Sequence, residues 1–276
     1  MVTTARTRLV ALLGDPVEHS LSPLMQNAAF RAASVDGVYV ALRCDGEALP
    51  GLLRGIALAG GAGNVTVPHK LAAAAVLDRS TAAVERTGAC NTFWLEDGRV
   101  CGDNTDVAGF DSAVRQLMGA PAGARVLVLG AGGAARAVVV ALLDAHVGGI
   151  WVRNRSARRA EMLRETLDPG RTRITLVGPR ALPDQEFDLV VNTTSLGLAP
   201  GDAAPIELGR LGHVGAVMDL VYAPGGTRWV QSARELGLPA MDGLAMLVGQ
   251  GAASFGRWWG RPAPVGAMRS ALERRP

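Results

Sequence analysis

Lysine is the residue this chain nearly does without. One position in 276 carries it, Lys70, and the other 27 of the 28 basic residues are arginine. Arginine serves wherever positive charge is enough, but it does not give up its proton. A lysine amine can have its pKa moved into a useful range. The lone lysine therefore reads either as a survivor of compositional drift on a solvated surface or as a group kept for proton transfer. Long apolar runs are missing too: no uncharged stretch approaches the roughly 18–20 residues that cross a bilayer. The apolar run at residues 9–13 is too short for the core of a signal peptide, so the cytoplasm is the default expectation. Cysteine is scarce and odd in number. Cys44, Cys90 and Cys101 lack metal-ligand spacing and the four histidines are scattered, so no metal site is expected and the cysteines read as buried or strand residues. Charge is modest as well. The net value is +3, and the one dense basic cluster, Arg153, Arg155, Arg158 and Arg159, is too local for a nucleic-acid face. What remains, 49% hydrophobic and 19% charged residues, describes a soluble globular protein of one large or two medium domains.

The lysine closes the stretch Asn64-Val65-Thr66-Val67-Pro68-His69-Lys70. Residues 60–63 read as a glycine-rich turn, 65–67 as a β-branched strand stopped by Pro68, and 71–77 as a helix. Asn64 and Thr66, two apart on a strand, would face the same side and reach one substrate. Lys70 falls where a strand opens into a helix, the usual place for site residues in an open α/β sheet. Upstream, residues 9–13 form a strand and 24–33 a helix, with Ser22 as its N-cap and Pro23 at its first position. That leaves Ser20 unexplained, and two hydroxyls beside a helix N-terminus also make a small anion site that a carboxylate would fit. Residues 38–44 then read as a strand and 47–59 as a helix. Downstream, Asn91 and Thr92 head a strand that pairs back through the Asp97-Gly98 turn onto 99–102. Asp106 is either the N-cap of a helix over 107–118 or a carboxylate paired with Lys70, able to orient the amine and shuttle its proton.

Residues 119–124 form a Gly/Pro/Ala linker, and a new unit starts at Arg125. The apolar strand 126–129 runs into Gly130-Ala131-Gly132-Gly133-Ala134-Ala135 and then a helix over 135–146. This is a G-x-G-x-x-A dinucleotide fingerprint in its strand–turn–helix context, with glycines that let a pyrophosphate approach the backbone and the helix N-terminus. The next strand, 150–153, ends in Asn154-Arg155-Ser156 where an NAD-binding unit would place an acid. The missing acid and the positive charge after it favour a 2′-phosphate, hence NADP(H). Further strands at 189–191 and 216–220, a helix at 227–236, another opening at Met241-Asp242-Gly243 and reaching about 259, and a last amphipathic helix complete the chain.

From Gly14 to Gly260 these motifs, in this order, resemble the shikimate dehydrogenase family. The resemblance implies an α/β fold: an N-terminal substrate-binding and catalytic domain, residues 1–106 completed by 243–276, and a Rossmann-type NADP-binding domain, 107–242, with the active site in the cleft between them. It implies reversible NADPH-dependent reduction of 3-dehydroshikimate to shikimate in aromatic amino-acid (chorismate) biosynthesis. It makes Lys70 and Asp106 the catalytic pair. Ser20 and Ser22 would hold the substrate carboxylate with Tyr222 nearby, and Asn64, Thr66, Asn91, Asp106 and Gln250 the ring hydroxyls. Gly130, Ala131, Gly132, Gly133 and Ala134 would carry the pyrophosphate, and Asn154, Arg155, Ser156 and Arg159 the 2′-phosphate. Thr193, Leu220, Gly243 and Met246 would line the nicotinamide side. Two readings stand beside this one: a quinate or related cyclic-polyol acid dehydrogenase, and a catalytically silent NADP-binding regulator. Gln26-Asn27 replaces the family's usual His-Asn, which bears on fine substrate preference. A small-molecule substrate is expected, with no nucleic-acid or membrane partner; a homodimer is left open.

Overall fold

Short apolar strands set the layout, and glycines let them approach one another. The computed structural model describes residues 3–181, 185–199 and 201–274. The chain divides into two units, Met1–Gly109 with Leu247–Pro276, and Phe110–Met246. The sequence placed divisions at 106/107 and 242/243, with a linker at 119–124. In the structure both breaks fall inside helices, α5 (Asp106–Met118) and α9 (Leu244–Trp259).

The first unit runs β1 (Arg8–Gly14), α1 (Ser22–Ala32), β2 (Gly37–Arg43), α2 (Leu49–Leu58), β3 (Ala62–Val65), α3 (Lys70–Ala74), β4 (Arg79–Ser80), α4 (Ala82–Thr87), β5 (Thr92–Glu96) and β6 (Arg99–Asp103), then the start of α5. Its six-stranded sheet has the order β2-β1-β3-β5-β6-β4. β1 pairs in parallel with β2 and β3, while β5 runs antiparallel to both β3 and β6. This register has a consequence for function. The C-terminal ends of β1, β3 and β6 and the start of β5 all emerge at one edge, with Asn64 opposite Thr92 and Thr92 opposite Asp103. Open α/β sheets place their ligands outside such strand ends. The end of α9 and α10 (Val265–Glu273) return to this unit, where α10 packs on α1. Phe30, Tyr39, Phe255, Trp258 and Trp259 cluster there with rings 5.4–6.4 Å apart, and the Arg8 guanidinium lies 5.2 Å from the Trp259 ring centre.

The second unit contains β7 (Arg125–Leu129), α6 (Gly133–Asp144), β8 (Gly149–Arg153), α7 (Ala157–Leu167), β9 (Ile174–Val177), β10 (Leu189–Asn192), β11 (Val217–Asp219), α8 (Arg228–Glu235) and β12 (Ala240–Met241). Its six strands are all parallel, in the order β12-β11-β10-β7-β8-β9. The central strands are apolar throughout, as a sheet covered on both faces requires: Val126 to Val128 and Leu189 to Val191 are fully buried.

Several expectations are corrected. The strand expected at 65–67 is β3, Ala62–Val65, and it takes in part of the expected turn at 60–63. Gly63 sits there because a Cβ would lie 2.2 Å from the Ala11 carbonyl oxygen and 2.6 Å from the Phe93 ring. Thr66 lies one residue past the end of β3, where its amide still donates to the Leu13 carbonyl of β1 at 2.8 Å. Ser22 is the first residue of α1 rather than its cap; Leu21 takes the cap position without a side-chain bond. Asp106 is likewise the first helical residue of α5, with its carboxylate committed elsewhere.

Candidate active site

The strand-end edge of the first unit gathers a buried polar cluster. Lys70 opens α3, and its main chain is tied to the neighbouring segment by the Cys90 amide, which donates to the Lys70 carbonyl at 2.8 Å. One residue earlier, the His69 imidazole Nε2 lies 2.8 Å from the Cys44 carbonyl oxygen, anchoring the start of α3 to the loop after β2. The Lys70 amine reaches Asp106 Oδ2 at 2.5 Å, with 15% of the lysine side chain and 6% of the aspartate exposed. A charge pair so sheltered holds only when further hydrogen bonds satisfy it. One comes from Asn91, whose Nδ2 donates to Asp106 Oδ1 at 2.9 Å.

Asn91 is itself held on every side. Its Oδ1 accepts from the Thr105 amide at 2.8 Å and the Thr105 hydroxyl at 3.1 Å, and its Nδ2 also lies 3.4 Å from Gln250 Oε1. Gln250 reaches this position because α9 and α5 approach closely: a Cβ on Gly249 would lie 3.0 Å from the Gly109 Cα. Asn64, at the end of β3, donates to the Asn91 carbonyl and to Ser254 Oγ, both at 3.0 Å, and accepts from the Tyr39 hydroxyl at 2.9 Å. Lys70, Asp106, Asn91, Asn64 and Gln250 are thus brought together. Tyr39, Thr105 and Ser254 join them and were missed in the sequence. For Ser254 a signal existed, since it follows Gln250 by four residues and shares its helix face.

The loop after β1 meets the loop after β3. Gly14 has no room for a side chain, since a Cβ would lie 2.3 Å from the Thr66 methyl, and the Asp15 amide donates to the Val67 carbonyl at 3.1 Å. On that loop the Ser20 hydroxyl accepts from the Ser22 amide at 3.2 Å, beside the open N-terminus of α1, while Ser22 is buried. Gln26 turns inward and donates to the Gly251 carbonyl at 2.9 Å, while Asn27 bonds the Tyr39 main chain in both directions. At this position the chain's departure from the usual His links α1 to α9.

In the second unit, β7 ends in a turn shaped for close approach. Gly130 has φ +117°, and a Cβ there would lie 2.4 Å from Thr193 Oγ1, so these two are in contact. Gly132 caps α6 with open space where its Cβ would stand, and Gly133 and Ala134 form the first turn of α6 behind it. Ala131 is buried. A glycine turn open at Gly132 and leading straight into a helix N-terminus is the setting that receives a pyrophosphate, so the residues fit a dinucleotide. Just after β8 the Asn154 side-chain Nδ2 donates to the Ser156 carbonyl at 2.8 Å, and the Ser156 hydroxyl caps α7 by accepting from the Arg159 backbone amide. Arg155, Arg158 and Arg159 are exposed, two of them in the first turn of α7, where the helix dipole disfavours cations unless an anion binds. Arg153 differs: its guanidinium donates to the Ala181 and Pro179 carbonyls and holds the following loop. Gly243 packs on Leu220, where a Cβ would lie 2.2 Å from the carbonyl oxygen. Met246 is buried, and Tyr222 lies half-buried in the loop after β11.

The three cysteines are buried and free. Burial pushes the Cys90 thiol up to about 12, which makes it inert. No helix among the described residues is long and apolar enough to cross a membrane.

Comparison with known proteins identifies the family. Residues 12–93 match the shikimate dehydrogenase substrate-binding domain, 112–196 the shikimate/quinate 5-dehydrogenase model, and 243–273 the shikimate 5′-dehydrogenase C-terminal domain. The chain is 42% identical to a shikimate dehydrogenase (NADP+) of Geobacter sp. (strain M21) over 100% of its own length and 98% of the relative's. Among solved structures it is similar to a shikimate dehydrogenase in complex with NADP+, at 32% identity and TM-score 0.91, covering 99% of this chain and 96% of that one. It is also similar to the Thermus thermophilus shikimate 5-dehydrogenase in complex with NADP(H) and shikimate, at 38% identity and TM-score 0.85, covering 97% and 99%. With full-length identity of this order added to the paired amine and carboxylate and the glycine cradle, the chain belongs to the shikimate dehydrogenase family.

Proposed function

We propose that this protein is an NADP-dependent shikimate dehydrogenase that reversibly reduces the ketone of 3-dehydroshikimate to the alcohol of shikimate, a step of chorismate biosynthesis. The observation that carries the reading is the sheltered Lys70–Asp106 pair at 2.5 Å. NADPH, when bound, supplies the hydride. The chain's task is then to deliver a proton to an oxygen that is becoming an alkoxide, and to do so beside positive charge. The Lys70 ammonium provides both. Asp106 holds that amine in place, accepts a ring hydroxyl, and takes part in returning the proton in the reverse direction. Asn64, Thr66, Asn91 and Gln250 bind the ring hydroxyls. Ser20 and Ser22, at the N-terminus of α1, hold the carboxylate, with Tyr222 as a further donor.

For the cofactor, Gly130, Ala131, Gly132, Gly133 and Ala134 receive the pyrophosphate. Asn154, Arg155, Ser156 and Arg159 take the 2′-phosphate, and Thr193, Leu220, Gly243 and Met246 lie along the nicotinamide. The cradle at Gly132 and the exposed arginines beside the Ser156 cap support these assignments. With them go two smaller proposals, a cytoplasmic location and a homodimer, which cell fractionation and light scattering of the purified chain decide.

One family model that the chain matches is shared by shikimate and quinate enzymes, so quinate is the second reading. A steady-state assay of shikimate and quinate, each with NADP+ and NAD+, tests both. The expected result is highest kcat/KM for shikimate with NADP+; a preference for quinate with NAD+ overturns it. Lys70→Met should lower kcat by about 10²–10⁴-fold with KM nearly unchanged, the range general acid–base groups supply. Near-normal turnover in that variant would remove Lys70 from the mechanism. A protein that binds NADPH yet never oxidises shikimate at high pH would instead be a regulator.

A further inference from the structure

The hydrogen bonds behind the catalytic pair have only one consistent direction. Asn64 Nδ2 spends both hydrogens inside the protein, on the Asn91 carbonyl and on Ser254 Oγ, each at 3.0 Å. An amide nitrogen only donates, so Ser254 accepts there and its own hydrogen is left for Thr105 Oγ1 at 2.9 Å. The Thr105 hydroxyl hydrogen goes to Asn91 Oδ1 at 3.1 Å, so Thr105 accepts from Ser254. Asn91 Oδ1 also takes the Thr105 amide at 2.8 Å, and with its oxygen doubly engaged on that side the Asn91 amide must present Nδ2 to Asp106. The donors thus run in sequence from Asn64 through Ser254, Thr105 and Asn91 to the Asp106 carboxylate. Turning one amide round would set donor against donor or acceptor against acceptor. Ser254 is fully buried, Asn91 is 2% exposed and Thr105 3%, so water does not substitute for a missing member.

We propose that Ser254 and Thr105 are positioning residues: their hydroxyl relay turns the Asn91 amide toward Asp106 and thereby holds the carboxylate that orients Lys70. The proposal rests on the reading of Lys70 and Asp106 given above. It also has a consequence for substrate recognition. With both hydrogens spent and one lone pair of its oxygen taken by Tyr39, Asn64 meets a ring hydroxyl as an acceptor only.

The test compares Thr105→Val, which keeps the shape and removes the hydroxyl, Thr105→Ser, which keeps the hydroxyl, and Ser254→Ala. In the substrate-free protein, ¹⁵N NMR of the Asn91 side-chain amide should show two distinct, slowly exchanging protons. In Thr105→Val and Ser254→Ala these should exchange faster and move together, and in Thr105→Ser they should stay as in the parent. In turnover, Thr105→Val and Ser254→Ala should lose about tenfold or more in kcat, as a small misplacement of a reacting group does. KM should shift by much less, and Thr105→Ser should recover most of the rate. Unchanged Asn91 signals, unchanged kcat in both hydroxyl-free variants, or a Thr105→Ser enzyme as impaired as Thr105→Val would overturn the proposal. The NMR comparison needs no substrate. Failure of the parent protein to oxidise shikimate therefore counts against the proposed function alone, and failure of the amide signals to respond counts against the relay.

Discussion

Lys70 is held by its neighbours at both main chain and side chain. His69 pins the turn before it, Cys90 caps its carbonyl, and Asp106 takes its amine. A solvated lysine left over from drift would have none of these partners. The scarcity of lysine was visible in composition, and so was a candidate carboxylate at Asp106. Thr105 and Ser254 were not, because a hydroxyl carries no periodicity and its worth depends on what stands within 3 Å of it. Another aspartate shows the same dependence on neighbours. Burial pushes the Asp168 carboxyl up, but the backbone N–H groups of Arg173, Ile174 and Thr172 and the Thr172 hydroxyl outweigh it and leave it below its usual value. The folded chain then binds fewer protons at this site than the unfolded one. Its contribution is complete above the unfolded carboxylate value of about 3.9 and is lost as pH falls through the lowered folded value. Asp168→Asn should cost about 1–2 kcal/mol at neutral pH. The gap to the parent protein should narrow as pH drops below about 4, as read by urea unfolding at several pH values.

At the scale of elements, glycine marks the places where composition misleads. A segment with glycine at 60, 61 and 63 reads as a turn, yet Ala62–Val65 is a central strand. Gly63 is there for its neighbours, the Ala11 carbonyl and the Phe93 ring, which no local pattern reveals. Gly132 is the opposite case, since a Cβ there would meet nothing within 4 Å and the residue stands at the N-cap of α6. The two glycines should therefore respond differently to alanine. Gly63→Ala should lose about 1–3 kcal/mol of unfolding free energy, the range for overpacking a core. Gly132→Ala should leave the unfolding midpoint near that of the parent and weaken NADP+ binding, measured by titration calorimetry. The reverse pattern would contradict both assignments. The strand–glycine–helix order of β7 and α6 was legible because it is local in sequence, and so was the hairpin of β5 and β6 through Asp97-Gly98. The two-residue β4 and the short α4 were not, since neither is long enough to carry a period.

For the whole molecule, cofactor preference is read from a missing charge. β8 ends without an acid, and Arg155, Arg158 and Arg159 stand exposed beside the Ser156 cap while Arg153 is spent on carbonyls. Arg155→Ala should weaken NADP+ by about tenfold or more, the worth of a hydrogen bond between charged groups, and NAD+ far less. Equal loss for both cofactors in the same assay would contradict a 2′-phosphate contact. Residue type and spacing were enough to point to the family, to NADP as cofactor, and to an amine and a carboxylate that the structure pairs. Each of these lies in a short contiguous stretch whose chemistry is local. Three-dimensional packing was needed to show that Asn64, Asn91, Thr105, Asp106, Gln250 and Ser254 share one network. Those residues lie up to 190 positions apart, as from Asn64 to Ser254. They meet because strand pairing sets the ends of β3 and β6 beside the start of β5, and because paired glycines let α9 lie close against α5. Which hydroxyl donates and which amide oxygen accepts follows from that meeting, since a hydrogen bond's direction is set by all its neighbours at once.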